Sequence, residues 1–245
     1  AIGFLIAAFN DNVGPSYVVA SAVYVLVIVS TIMIRTPGVQ NEGRPASIGS
    51  DLVEGFQYML LENRTVLALI IVAMGPLAFG FSYIPLLPVF VTEVLKMGPA
   101  GFGTIQSVAA VGALVGGFTL ASMGRIRHKG RMMLVAGLVY GVVLMLLSVV
   151  SAPILAFMAV PIIGAAQTVF RTSNNSALLE ITPGRLRGRV MSMTFLDTGM
   201  QSLAAIMAGT VTDTWSVGVG MALLGAICAA IVGGIAIAAP SVRRV

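Results

Sequence analysis

Residues 124–153 read GRIRHKGRMMLVAGLVYGVVLMLLSVVSAP. Four cations, Arg125, Arg127, Lys129 and Arg131, precede an apolar run over 132–152, which a neutral turn at Ser151–Pro153 closes. A helix crosses roughly 30 Å of hydrocarbon with about 20 residues at 1.5 Å each, so a run of this length is long enough to span a bilayer. Arg and Lys are retained on the cytoplasmic side of membrane helices, which gives the run a direction. The stretch reads as one membrane helix rising from a basic cytoplasmic loop.

The rest of the chain repeats this pattern. Apolar runs cover 14–36, 66–92, 102–123, 154–179, 190–212 and 217–239, and residues 1–9 resemble the tail of a further helix. Arg35, Arg44, Arg64, Arg125, Arg127, Lys129, Arg131, Arg185, Arg187, Arg189, Arg243 and Arg244 fall in alternate connections on one side, so 12 of the 14 basic residues share a face. The other connections hold only Lys96. That alternation predicts an all-α membrane protein of seven spans plus a remnant, located in the cell (plasma or inner) membrane with a cytoplasmic C-terminus. Composition agrees: 58% of residues are hydrophobic and 9% charged, against about 25% charged in a typical soluble domain. A soluble enzyme and a disordered chain are both excluded on that ground. The net charge of +5 is then a topology signal with some affinity for anionic lipid, and no nucleic-acid partner is expected. Ala1 opens inside an apolar stretch with no basic leader. It therefore does not read as a signal peptide, and the chain is expected to be cut from a longer one.

Prolines within the runs, Pro76, Pro85, Pro88 and Pro161, predict kinks. In the long connection, Ile48, Leu52, Val53, Phe56, Met59 and Leu60 recur at helical spacing. An amphipathic helix over 47–63, capped by Ser47 or Ser50, is expected along the cytoplasmic face. Cys228 stands alone in an apolar run and reads as a small core residue. His128 has no second ligand near it in sequence, so neither a metal nor another cofactor is expected. Asp197-Thr198-Gly199 spells the aspartic-protease triplet, but it occurs once and in the middle of a span. No phosphate-binding loop or dinucleotide fingerprint is present. An enzyme is not expected.

Polar side chains in a bilayer cost free energy unless they meet a partner or water, so they sort the spans. Gln167, Arg171, Asn174 and Asn175 share one face of the 154–179 helix, and Thr194, Asp197 and Gln201 share one face of the 190–212 helix. Ser82 and Tyr83 mark 66–92, and Gln106 and Ser107 mark 102–123. The spans 132–152 and 217–239 offer almost nothing polar and are expected to be peripheral, less buried than 154–179 and 190–212. Arg171 and Asp197 sit at similar depth, about 13 and 10 Å from the same end by helical rise. They are expected to approach one another directly or through water, either as a gate coupled to protonation or as a static pair. Gly112/Gly116 and Gly137/Gly141 fit the close-approach spacing of membrane helices.

The order of lining and peripheral helices, repeating every three, resembles the C-terminal half of a major facilitator superfamily transporter. Thr182-Pro183-Gly184-Arg185-Leu186-Arg187-Gly188-Arg189-Val190-Met191-Ser192 resembles the loop between the fourth and fifth helices of that half in drug/proton antiporters, the branch of the enterobactin exporter and the macrolide efflux proteins. Gly124–Arg131 resembles the basic loop between its second and third helices, with Arg127 where an acid is usual. The resemblance implies four domain assignments. Residues 1–36 end the N-terminal half, 37–65 are the linker between halves, 66–239 are the six-helix C-terminal half, and 240–245 form a cytoplasmic tail. It implies a missing N-terminal half as partner, together with lipid, protons and a small amphipathic substrate, drug or siderophore-like, exported by alternating access. The implied pathway residues are Arg171, Asp197, Asn174, Asn175, Gln167, Gln201, Thr194, Tyr83 and Gln106. Arg125, Arg127, Lys129, Arg131, Arg185, Arg187, Gly188 and Arg189 would form the cytoplasmic gate loops. A non-transporting interaction protein or channel subunit of the same topology is the alternative.

Overall fold

A computed structural model describes residues 14–33, 56–123 and 129–244. All regular structure among them is helical. The long elements are α1 (Gly14–Ile32), α2 (Arg64–Val94), α3 (Pro99–Ser122), α4 (Lys129–Ser148), α5 (Pro153–Ile181), α6 (Arg187–Met193), α7 (Leu196–Thr214) and α8 (Val217–Ala238). Among the described residues, α2, α3, α4, α5 and α8 are long and apolar enough to cross a membrane. Residues 1–13, 34–55 and 124–128 lie outside the description, and with them the expected start of the amphipathic linker helix and its caps. Its described end is a single wide turn, Tyr58–Glu62, with Met59 buried and Leu61 exposed.

Local chemistry places the helix ends. The Asn63 side chain accepts hydrogen bonds from the backbone N–H of Thr65 and Val66 at 3.2 and 3.3 Å, capping α2. Pro99 and Pro153 open α3 and α5, where a missing N–H costs nothing. Within α2, Pro76, Pro85 and Pro88 cannot donate to the helical ladder. The expected kinks appear as changes of winding along a continuous rod: α-helix to Ala73, wide π turns over Met74–Gly80, tight 3-10 turns over Phe81–Leu86.

The 190–212 run was expected to form one span. It is instead two helices, α6 and α7, meeting at Thr194–Phe195. Ser192 Oγ donates to the Arg189 carbonyl at 2.7 Å, and Thr194 Oγ1 donates to that of Met191 at 2.7 Å. Such back-bonding competes with the helical ladder and opens the chain where two hydroxyls stand two residues apart.

Small residues set the packing. α3 lies along α5, while α4 lies along both α5 and α8. A Cβ on Gly112 would run into the Pro161 backbone, one on Gly116 into Ala165, and one on Gly164 into Ala109, so α3 and α5 touch main chain to main chain. Gly141 meets Ala229 and Gly225 of α8 in the same way. Both close-approach pairs expected from the sequence therefore lie in helix seams.

Burial follows the expected sorting only in part, holding for α8 against α5 but not for α4 or α7. α4 buries residues along its whole length, whereas α7 buries only Ala204 and Ala208. The glycine seams draw α4 inward, while α7 packs on α2 and α8 with few of its side chains fully buried. α8 packs on α2, α4 and α7, while α5 touches α2 directly, so α8 does not come between α2 and α5.

The expected tail at 240–245 takes up a defined turn as far as Arg244. Pro240–Arg244 form a 3-10 turn with Val242 wholly buried. Burying an apolar side chain outweighs the entropy of a short free end.

Candidate functional site

α5 carries the strongest polar strip. Its buried side, which includes Val160, Ile163, Phe170, Ala177 and Leu178, packs against the bundle. Arg171 and Asn175 are exposed beside it, and Gln167 is half-buried. Asn174 is buried, and its Oδ1 has no hydrogen-bond partner among the described residues. Ser173 Oγ, one residue earlier, is in the same position. Arg171 is a permanent cation on a 29-residue helix long enough to cross a bilayer. Facing hydrocarbon there would be costly, so such a group belongs against water or further protein.

On α7, Asp197 and Gln201 are half-buried and share a face with the buried Ala204 and Ala208, toward α2. Thr198 Oγ1 donates to Asp197 Oδ1 at 3.1 Å. Arg171 and Asp197 form no ion pair with each other in this structure. The expected direct approach is therefore not made: Arg171 stands on an exposed face of α5 while Asp197 turns with the α2-facing side of α7. Thr194 is half-buried at the break between α6 and α7, its hydroxyl occupied by the Met191 carbonyl.

Two expected lining residues part company. Gln106 is half-buried on α3. Tyr83 leaves the polar strip, since it is 4% exposed and packs in the apolar core with Leu87, Phe90, Tyr140 and Leu144. Its neighbour Ser82 takes the polar role. Ser82 Oγ lies 2.7 Å from the Ala78 carbonyl in its own helix and 2.8 Å from the Gln201 carbonyl of α7. A serine reads as a generic small polar residue, and only the packing of α2 on α7 identifies its partner.

At the opposite side of the sequence reading, the basic loops converge on one end of the bundle. Arg125 and Arg127 lie outside the described residues. Lys129 Nζ donates to Glu180 Oε2 at 2.7 Å, tying the start of α4 to the end of α5. Glu180 was not expected as a site residue. It is an acid between two basic loops, a signal that was present but unused. Arg187 Nε donates to the Thr182 carbonyl at 3.2 Å and so folds the α5–α6 turn back on itself. Arg131 is exposed, Arg189 is half-buried, and Gly188 faces open space. Arg185 lies in the short 3-10 turn Gly184–Leu186. Among the described residues no group of His, Cys, Asp and Glu could hold a metal ion.

Comparison with known proteins fits this arrangement. Over 142 residues the chain is 26% identical to the staphyloferrin A transporter of Staphylococcus aureus (strain NCTC 8325 / PS 47), covering 58% of this chain and 35% of that protein. It thus spans about a third of that transporter's length. No solved structure matches. The transmembrane secretion effector family matches over residues 1–245. With its helices of membrane length and its basic loops gathered at one end, this all-α multi-pass chain belongs to that family of the major facilitator superfamily.

Proposed function

We propose that the chain is the C-terminal part of a secondary active transporter that exports small amphipathic molecules in exchange for protons. The carrying observation is Arg171, a charged and exposed side chain well inside a helix of membrane length. With Gln167, Asn174 and Asn175 on the same strip, it suits a watered pathway between this part of the protein and an N-terminal half. The proton-coupling role is assigned to Asp197, half-buried on the α2-facing side of α7. The basic end is cytoplasmic by the retention of Arg and Lys, and Lys129, Arg131, Arg185, Arg187, Gly188 and Arg189 bound the cytoplasmic mouth. The relative's description as a staphyloferrin A transporter supports a siderophore-like or drug-like cargo over an ion. Nothing in the site suits enzyme chemistry better than it suits transport.

The test is a transport assay on the whole protein in inverted vesicles with an imposed pH gradient and a panel of dyes and siderophores. Asp197→Asn is expected to abolish proton-driven movement at unchanged protein yield, and Arg171→Gln to reduce it for every cargo carried. Full gradient-driven transport by a well-folded Asp197→Asn variant would remove the proton role. Failure of the wild type to move any cargo under a gradient would remove the transport reading itself.

A further inference from the structure

Three short segments outside the long helices send one apolar side chain each into a shared core at the basic end. Met59 comes from the turn that leads into α2 and is 2% exposed; Leu186 comes from the α5–α6 turn and is 4% exposed. Val242 comes from the turn after α8 and is fully buried. They join Val66, Met133 and Val190 in one cluster. Around Val242 the sequence is polar, with Pro240 and Ser241 before it and Arg243 and Arg244 after it. Ser241 and Arg243 are exposed, so the turn presents one apolar residue inward and its polar neighbours outward.

The geometry holds this turn from two sides. Its own closure is a hydrogen bond from the Val242 N–H to the Ala239 carbonyl at 3.0 Å. Its main chain presses on the start of α4, because the Val242 carbonyl fills the space that a Cβ on Gly130 would take. A side chain at 130 could enter only by expelling the turn, since the obstacle is backbone. Gly130 follows Lys129, whose ammonium is the anchor to Glu180 on α5. The turn touches α2, α4 and α8.

We propose that Pro240–Arg244 is a strap that fastens the basic end of the bundle, locking the start of α4 to α2 and α8 over the core that Met59 and Leu186 share. With Val242 seated, the linker's last turn is held against the helices; with Val242 withdrawn, Met59 loses part of its enclosure and the turn opens. The strap does not depend on what the protein carries, so its test is read without transport.

Met59→Cys and, as an exposed control, Leu61→Cys are made in the whole protein and labelled with a maleimide in membranes. Cys228 is the chain's sole native cysteine. It is buried in the middle of the bundle, so its reactivity reports general unfolding. With the native turn, Met59→Cys is expected to label far more slowly than Leu61→Cys. Val242→Asp is expected to speed labelling at Met59→Cys on the order of tenfold or more, as loss of a buried valine implies for a local opening equilibrium. Cys228 should stay silent and Leu61→Cys unchanged. Gly130→Ala, which expels the turn without touching the apolar side chains, is expected to act in the same direction, and Val242→Ile is expected to keep the native protection. Equal labelling at Met59→Cys and Leu61→Cys in the native background overturns the strap. So does a Met59→Cys rate that neither variant moves. If Val242→Asp exposes Cys228, Gly130→Ala alone decides.

Discussion

α4 and α7 are nearly equal in length, 20 and 19 residues, and the bundle holds them by opposite means. α4 buries Met133, Gly137, Tyr140, Gly141 and Leu144 along a helical stripe, with glycines that admit the backbone of α8. α7 buries two alanines and reaches α2 through the Ser82 hydroxyl on the Gln201 carbonyl. In lipid the hydrophobic effect does not drive one apolar helix onto another, so close packing must do it. A helix rich in glycine can be fixed that way. α7 shares one such approach, since a Cβ on Gly220 of α8 would meet the Ala208 carbonyl, but it buries far fewer side chains of its own. The contrast separates a helix fixed by a long buried stripe from one fixed by a close backbone approach and two small side chains.

The largest expected effect tests the tight side. Gly164→Leu would drive a side chain into the Ala109 backbone at the α3–α5 seam. It should cost about 3 kcal/mol or prevent folding, because main chain cannot step aside. Gly209→Leu on α7, where a Cβ meets nothing within 4 Å, should stay within about 0.5 kcal/mol of the parent. Thermal unfolding in detergent compares the two directly. Similar losses at both positions would erase the distinction between a glycine seam and the open side of α7.

The next effect is intermediate and has an internal control. A Cβ on Gly80 would meet the Tyr140 ring, which can move where backbone cannot. Gly80→Ala should therefore cost about 1–2 kcal/mol. Tyr140 is fully buried, and its hydroxyl has no partner among the described residues. Tyr140→Phe should thus leave stability unchanged or raise it slightly, since an unmet polar group is removed. A clear loss on Tyr140→Phe would show that the hydroxyl is satisfied in the membrane.

How much of this was legible before the structure depends on the range of the physics involved. Span positions are a property of local composition, and α2 to α5 and α8 stand where apolar runs between basic loops place them. Gly112 and Gly116 could be read as a seam, but their partner Gly164 could not. It lies on α5 amid residues whose polarity drew attention to the other face. The break at Thr194 was missed because a hydroxyl returning to its own backbone leaves hydropathy unchanged. The burial of Val242 leaves no mark in the sequence, because one valine among polar residues carries no period; only the approach of Gly130 accounts for it. The polar strip of α5 was legible from spacing, whereas the separate facing of Arg171 and Asp197 needed the rotation of α7 against α2. Tyr83 reaches the apolar core for a related reason, since in α2 the change from wide to tight winding rotates the side chains off a regular wheel.

A smaller effect probes the loose side. Ser82→Ala removes the hydrogen bond from α2 to the Gln201 carbonyl, and bonds of this kind between membrane helices average about 0.6 kcal/mol. The global unfolding temperature should barely move. Exchange of α7 amides should rise relative to those of α4, because α7 buries only two side chains of its own. Equal exchange in both helices would mean that Ala204 and Ala208 suffice to fix α7.

The smallest expected effect lies at the basic end, in the Lys129–Glu180 pair. The two side chains are 25% and 59% exposed, and their charged atoms are 2.7 Å apart. Short distance alone suggests a strong contact, but exposure decides the magnitude. Water and salt screen both charges, and ordering two long side chains costs entropy, so exposed pairs contribute about 0–1 kcal/mol. The comparison with α4 and α7 sharpens this, because the pair lies at the foot of α4, where the glycine seams already set the approach of α5 and α8. Lys129→Ala and Glu180→Gln should each cost less than about 1 kcal/mol, and the coupling from the double variant should be smaller still and should fall as salt is raised. Thermal unfolding of the four proteins at low and high salt measures it. A coupling above about 2 kcal/mol that salt leaves unchanged would mean that the pair is shielded in the intact protein. The basic end would then be held by charge as firmly as the α3–α5 seam is held by glycine.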